Sequence, residues 1–189
     1  VSFKQVGYWK NSITLFSHTV TVTEKNYLSH YALGYAFEKK GMVDDAVSHY
    51  KAALAINPSE VDVRYNLAIL EAATGDDQSA IQHYQEILRI EPGDVQAHNN
   101  LGNIFFRQKK WDIAARHYRK ALQINPEYAK AHNNLGAVMF NQGRTEEAIY
   151  HFRETLRIEP GHQRARQHLQ ISMALLDSQA KPNAPGDVR

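Results

Sequence analysis

Small, aromatic and branched side chains recur along this chain with a constant period of 34 residues. The recurring columns are Leu33, Leu67, Leu101 and Leu135; Gly34, Ala68, Gly102 and Gly136; Ala46, Ala80, Ala114 and Ala148; and Tyr50, Tyr84, Tyr118 and Phe152. A proline closes each interval, at Pro58, Pro92, Pro126 and Pro160. Because many columns stay in register over four intervals, the sequence predicts an internal structural repeat.

Each column suits a unit made of a helix, a tight turn and a second helix. With Tyr27 as position 1, position 8 is Gly or Ala and position 20 is Ala, which allows neighbouring helices to approach closely. The ring at position 24 fills the space between helices. Gly at position 15 of three units ends the first helix, and Pro at position 32 ends the second. Acidic residues gather near the start of the second helix, where the helix dipole favours them: Asp44, Asp45, Asp77, Asp112, Glu146 and Glu147.

This pattern resembles the tetratricopeptide repeat, and the resemblance covers most of the chain. In the first unit Leu33, Gly34, Ala46, Tyr50 and Pro58 match the pattern of that family. The predicted full units are 27–60, 61–94, 95–128 and 129–162. The resemblance implies an all-α fold, in which antiparallel helix pairs form a right-handed superhelix.

Two positions depart from the family pattern. Position 4, often Trp in the family, is His30, Arg64, His98 and His132. Position 15 of the third unit is Lys109 in place of Gly, at a cost of about 1 kcal/mol if this residue is left-handed. Neither departure changes the predicted fold.

The two ends of the chain are predicted to be incomplete units. Residues 1–26 form a partial unit whose first helix is mostly missing, with Gly7, Trp9 and Phe16 at positions 15, 17 and 24. Residues 163–177 form a closing helix. Residues 178–189 are polar, contain two prolines and are predicted to be a disordered tail.

The resemblance implies a concave groove lined by the first helices, which binds an extended peptide or a partner helix. Asparagines at and beside position 6 are predicted to pair with a peptide main chain, since an amide is both donor and acceptor. Tyrosines at one end are predicted to receive apolar or Pro-rich side chains, and cations at the other end an acidic group. The candidate residues are Asn66, Asn99, Asn100, Asn103, Asn133 and Asn134; Tyr31, Tyr35 and Tyr65; and Arg107, Lys130 and Arg164.

Each class of candidate also has a structural interpretation. An Asn at position 6 suits polar contacts between adjacent helices. The tyrosines suit packing between helices, and the cations suit an ordinary solvated face. The sequence leaves these alternatives open.

Two known binding modes bear on the groove. The segments AHNNLG at 97–102 and 131–136 resemble the superhelix of O-linked N-acetylglucosamine transferase, where an asparagine ladder holds substrate polypeptides. Chaperone-binding members of the family clamp a terminal carboxylate with Lys at position 5 and Arg at position 6. The equivalent residues in the best-matching window are Asn99 and His168, so we predict no such clamp.

Composition excludes several other classes of function. The 189 residues are 43% hydrophobic, which is enough for a folded core, and the net charge of +2 argues against nucleic-acid binding. Without Cys there is no thiolate metal site, disulfide or Cys nucleophile. The sequence has no apolar stretch long enough to cross a membrane, and it contains none of the common catalytic motifs. We therefore predict a chain that is not an enzyme and needs no cofactor.

The ten histidines do not predict a metal site. Equivalent positions of successive units lie at least one packed helix apart, roughly 10 Å, whereas zinc ligands lie within about 2.1 Å of one ion. This argument applies to position 23, with His49, His83, His117 and His151, and to the histidines at position 4.

A second, narrower resemblance lies at the start of the chain. QVGYWKNSITLF at 5–16 and VTEKNYLSHYALG at 22–34 resemble the junction that opens the repeat region of polytopic membrane proteins related to glycosyltransferases. Trp9, Ser12, Leu15 and Phe16 match its W-x-x-S-x-x-L-F stretch. This resemblance implies a periplasmic or other extracytoplasmic location and a longer parent chain that carries a transferase.

Three functions follow from these observations. The preferred one is a non-catalytic scaffold that binds a protein or peptide in its concave groove. The second is an accessory domain of a membrane-embedded glycosyltransferase. The third is a solenoid that assembles with itself through its open ends.

Overall fold

The computed structural model describes residues 12–23 and 26–180, and in these ranges the chain forms ten helices and no strand. The predicted all-α repeat is therefore confirmed. The helices are α1 (Ser12–Val22), α2 (Tyr27–Lys39), α3 (Val43–Ile56), α4 (Val61–Thr74), α5 (Asp77–Ile90), α6 (Val95–Arg107), α7 (Trp111–Ile124), α8 (Ala129–Asn141), α9 (Thr145–Ile158) and α10 (Gln163–Ala180). No described helix is both long enough and apolar enough to cross a membrane.

The chain divides at Pro92 into two compact parts, each larger than a single repeat, which are called the first and second unit from here on. The first unit contains α1 to α5, and its core holds buried Ala46, Tyr50, Val63 and Leu67. The second unit contains α6 to α10, and its core holds side chains of α7, α8 and α9: Ala114, Ala115, Tyr118, Leu135, Val138, Met139, Ala148 and Phe152. Each predicted full repeat contains one helix pair.

The small residue at position 8 makes room for the ring at position 24 of the same repeat. A Cβ added to Gly102 would lie 2.4 Å from Cε1 of Tyr118, and one added to Gly34 would lie 2.5 Å from Cδ1 of Tyr50. The ring of the second helix therefore lies directly against the backbone of the first. This contact explains why the two columns recur together.

The turn inside each repeat has the left-handed residue that position 15 predicts. Gly41, Gly75 and Gly143 have φ of 74°, 91° and 75°, and Lys109 has φ of 57°. A side chain in this conformation is strained, whereas Gly adopts it freely. The third repeat therefore forms the same turn as the others at an extra cost in free energy.

Replacing Lys109 by Gly is expected to raise the free energy of unfolding by about 0.5–1 kcal/mol, because the strain relieved exceeds the extra backbone entropy of Gly. Urea unfolding followed by circular dichroism measures the change. The neighbouring Lys110 has φ of −85° and is the N-cap of α7, where Gly is tolerated, so Lys110→Gly serves as the matched control and is expected to change the free energy of unfolding by less than about 0.5 kcal/mol. Equal effects of the two substitutions would contradict this account.

The closing helix is longer than predicted. It runs to Ala180, so the predicted disordered tail is wrong for residues 178–180. The first proline beyond the helix is Pro182, and Ser178 fits the helix because its Oγ donates a hydrogen bond to the Leu175 carbonyl. At the other end, α1 supplies the second helix of the predicted partial unit, while Gly7 and Trp9 lie outside the described residues.

Candidate peptide-binding surface

Four asparagines of the second unit form one hydrogen-bonded group, the asparagine cluster: Asn99, Asn103, Asn133 and Asn134. Asn134 Nδ2 donates to Asn99 Oδ1 at 3.0 Å and to Asn103 Oδ1 at 2.9 Å. Asn133 Nδ2 donates to Asn134 Oδ1 at 3.2 Å, and the Tyr118 hydroxyl donates to Asn103 Oδ1 at 2.9 Å. The cluster therefore joins the first helices of two successive repeats, α6 and α8.

Asn66 has an equivalent role in the first unit. Its Nδ2 lies 3.4 Å from the Tyr31 hydroxyl and 3.5 Å from the Tyr50 hydroxyl, both in the preceding repeat. The Tyr50 hydroxyl in turn donates to Glu38 Oε2 at 2.7 Å. At both Asn66 and Asn134, position 6 thus bonds to position 5 of the repeat before it. These hydrogen bonds between helices are the structural role that the sequence left open for the asparagines. Asn100 accepts only a 3.5 Å contact from Asn99 Nδ2.

A concave pocket of about 790 Å³ lies beside the asparagine cluster in the second unit. One part of its wall is apolar and another is polar or cationic. We call it the unit 2 pocket. Its lining residues are Asn103, Phe106, Arg107, Tyr118, Asn133, Asn134, Ala137, Phe140, Asn141, Phe152, Arg164, His168 and Ile171. A second cavity of about 280 Å³ shares part of this lining and adds Asn99, Lys130 and His162.

The structure brings together all the predicted cations and most of the predicted asparagines. Arg107, Lys130 and Arg164 line these two cavities with the asparagine cluster. Neither lining includes an Asp or Glu. The surface is therefore positively charged where it is concave.

Two polar atoms of the pocket lining are buried without a hydrogen-bond partner. One is Oδ1 of Asn133, whose side chain is only 6% exposed. The other is Nδ1 of His168. Burial, with Arg164 and His162 nearby, lowers the pKa of His168, which keeps this side chain neutral around pH 7. Buried polar atoms are nearly always bonded, so these two atoms are unusual features of the pocket wall, although neither is exposed at its surface.

The three candidate tyrosines have three different surroundings. The Tyr31 ring packs against Tyr50 and the Tyr65 ring against Tyr84, each with 5.9 Å between ring centroids. Tyr35 is 49% exposed and lines a separate groove of about 350 Å³ with Ile13 and Phe16 of α1. Tyr31 and Tyr65 thus have the packing role that the sequence left open, whereas the Tyr35 ring is about half exposed and has Lys39 Nζ over it, 4.9 Å from the ring centroid.

The apolar wall of the unit 2 pocket was missed in the sequence. Phe106 and Phe140 occupy position 12 of their repeats, and Ile171 occupies position 9 of the closing helix. Phe106 and Phe140 lie on first helices, which the resemblance assigned to the groove. Their apolar side chains were therefore a signal that the sequence contained.

Histidines at positions 4 and 23 of one repeat meet each other. The two Nδ1 atoms lie 3.0 Å apart in His30–His49, 3.3 Å in His98–His117 and 3.0 Å in His132–His151. In the remaining repeat Arg64 takes the place of the first His, beside His83. The 34-residue period shows the two histidine columns but not that they pair with each other. Among the described residues no three or more ligating side chains form a metal site.

Position 4 also bonds to the proline that ends the preceding repeat. His132 Nε2 lies 3.0 Å from the Pro126 carbonyl oxygen, and Arg166 Nη2 donates to the Pro160 carbonyl at 2.7 Å. Arg64 makes the same bond to Pro58. Because Nε2 of His132 is the donor here, its Nδ1 is the acceptor and His151 Nδ1 carries the shared proton. The departure from the family's Trp thus provides a hydrogen bond between consecutive repeats.

Comparisons with known proteins agree with this architecture. Family models described as "Tetratricopeptide repeat" match residues 31–95 and 129–162, and one described as "TPR repeat" matches 102–143. No curated protein matches the chain significantly.

Solved structures share the fold at low sequence identity. A crystal structure of MamA is 24% identical, with a TM-score of 0.73 over 82% of this chain and 87% of that one. YrrB, described as a TPR protein with an unusual peptide-binding site, is 17% identical, with a TM-score of 0.75 over 88% of this chain and 86% of that one. PilF of Pseudomonas aeruginosa is 21% identical, with a TM-score of 0.71 over 80% of this chain and 69% of that one.

Proposed function

We propose that this chain, which is built of tetratricopeptide repeats, is a non-catalytic scaffold that binds an extended segment of a partner protein in the unit 2 pocket. The observation that carries the proposal is one pocket with a wall of aromatic side chains, a cationic rim and an orphaned amide acceptor. Recognition pockets combine a large apolar lining with a few placed polar groups, and this pocket has both.

The asparagines have two roles in this proposal. Asn134 uses both amide hydrogens within the cluster and its oxygen accepts from Asn133, so it holds Asn99 and Asn103 in place. Asn133 donates one amide hydrogen to Asn134 and keeps Oδ1 unbonded. An N–H group of a peptide main chain is the donor that matches this oxygen, once a small shift of the pocket wall exposes it. Asn134 is therefore assigned to positioning and Asn133 to contact.

Site-specific photocrosslinking tests the location of binding. Ala137 is a small residue of the pocket lining, so a photoreactive amino acid there reaches a bound segment without removing a polar group. The matched control carries the same group at the exposed Arg116 of α7, outside the pocket lining. In extracts that include solubilised membranes, we expect a discrete crosslinked polypeptide from position 137 and none from position 116. Equal crosslinking from both positions, or none from 137, would contradict the proposal.

The two other functions remain proposals. An accessory role beside a membrane glycosyltransferase rests on the 5–16 segment, of which only Ser12 onward is described. Crosslinking from Ala137 to such an enzyme or to its acceptor protein would favour it. Self-association through the open ends predicts a mass that rises with concentration in analytical ultracentrifugation.

A further inference from the structure

We infer that the unit 2 pocket selects an internal acidic segment in which a large apolar side chain lies beside Asp or Glu. This inference rests on the proposed function and specifies the chemistry of the ligand. Three features of the lining lead to it: the apolar wall, the sign of the charge and the kind of acceptor left unbonded.

The apolar wall sets one requirement. Phe106, Phe140 and Ile171 line the same cavity, and Ile171 is 55% exposed although it is a large hydrophobic residue. A cavity of about 790 Å³ is in the range that buries most of a small ligand, so it accepts an aromatic or branched side chain. Covering these surfaces gives the apolar part of the binding free energy.

The charge of the lining sets the second requirement. Arg107 and Arg164 line the pocket itself, Lys130 lines the adjoining cavity, and no Asp or Glu belongs to either lining. A basic ligand meets like charge here, whereas a carboxylate meets two guanidinium groups near the apolar wall. Arginine is well suited to this role because its planar fork binds a carboxylate through two hydrogen bonds.

The remaining polar groups favour an internal segment over a chain terminus. A terminal carboxylate needs several converging cations, yet Asn99 and a neutral His168 stand where a terminal clamp has Lys and Arg. Just beneath the wall lies Oδ1 of Asn133, an acceptor that repels a carboxylate and that accepts a main-chain N–H once a small shift exposes it. The carboxylate is therefore expected on a side chain near the exposed arginines, and the main chain at Asn133.

Fluorescence anisotropy with short synthetic peptides tests this specificity on the whole chain. The reference probe has one phenylalanine between two glutamates, flanked by Gly and Ser, with both termini blocked. The comparison probes replace the glutamates by Gln, replace the phenylalanine by Ala, N-methylate the phenylalanine, or move the only carboxylate to a free C-terminus. We expect each comparison probe to bind at least about tenfold more weakly than the reference, which corresponds to about 1.4 kcal/mol.

Matched charge variants locate the effect. Arg107→Gln with Arg164→Gln is expected to reduce affinity for the reference probe to that of the Gln probe. The control, Arg116→Gln with Arg153→Gln, removes the same charge from exposed residues outside the pocket lining and is expected to leave affinity unchanged. Added salt is expected to weaken the reference probe more than the Gln probe.

The outcomes separate this inference from the proposed function. Equal binding of the reference and Gln probes, tighter binding of the free C-terminus, or no binding of any probe would overturn the inference. The proposed function stands in those cases if position 137 still crosslinks a polypeptide. If position 137 crosslinks nothing, the proposed function itself fails.

Discussion

Replacing Asn134 by Ala is expected to lower the free energy of unfolding by about 1–3 kcal/mol. The Asn134 amide donates to Asn99 and Asn103 at 3.0 and 2.9 Å. Asn99 is only 4% exposed, so its oxygen depends on this donor. An unsatisfied buried acceptor costs about 1–3 kcal/mol. Urea unfolding followed by circular dichroism measures the loss.

Two further substitutions identify the cause of that loss. Asn134→Asp keeps the shape but places carboxylate oxygens against the two acceptors, so it is expected to destabilise the protein at least as much. Asn100 occupies position 6 of the preceding repeat and accepts only the 3.5 Å contact from Asn99, so Asn100→Ala is expected to cost less than about 1 kcal/mol. A loss for Asn134→Ala as small as for Asn100→Ala would show that the cluster does not hold the two helices together.

The repeat could be predicted from the sequence because close packing restricts which residue types fit at single positions. Gly102 and Tyr118 illustrate this, since any side chain at the first would overlap the ring of the second. Lys109 illustrates it differently: its left-handed φ matches the glycines at the same position of other repeats, although Lys itself disfavours that conformation. Packing and backbone constraints within one repeat therefore appear in the sequence as residues that recur every 34 positions.

Contacts that depend on two columns at once were harder to foresee. His132 and His151 are both obvious in the sequence, but only the packed helix pair brings their Nδ1 atoms to 3.0 Å. The role of Asn134 depends in the same way on Asn99, 35 residues earlier in the chain. The period identifies which residues recur. Which side chains of two packed helices touch depends on how each helix is rotated about its axis, and the period does not show this.

Lowering the pH from about 7.5 to about 5 is expected to destabilise the protein by about 2–4 kcal/mol through the histidine pairs. Burial, and then the neighbouring histidine, lowers the pKa of His117 and of His151 to about 4, from 6.5. The unfolded chain therefore binds more protons than the folded one between these two values. The stabilisation is complete above about pH 6.5 and is lost as the pH falls toward 4. Each residue contributes about 1–2 kcal/mol at pH 5 after allowance for partial solvent access.

The geometry of the pairs gives this pH dependence a structural cause. A pair shares one proton between two Nδ1 atoms, one as donor and one as acceptor, and a histidinium has only donors. Two protonated partners would place two N–H groups against each other at about 3 Å. The carboxylates of Glu147 and Glu154 partly favour the charged form of His151, whereas Arg119 opposes it. Acid is therefore expected to separate the first and second helices of these repeats.

Other groups titrate in the same range, so the variant must isolate the pairs. Burial raises the pKa of Glu71, which opposes the histidine effect because a carboxyl with a raised pKa stabilises the fold as it is protonated. In the double variant His117→Asn with His151→Asn, an amide replaces each titrating ring near the position of Nδ1, while Glu71 is unchanged. We expect the difference in unfolding free energy between the two pH values to shrink by at least half. An unchanged difference would mean that the pairs do not control the acid response. A selective loss of hydrogen-exchange protection in α6 to α9 at about pH 5 would place the acid response in the two repeats that contain these pairs.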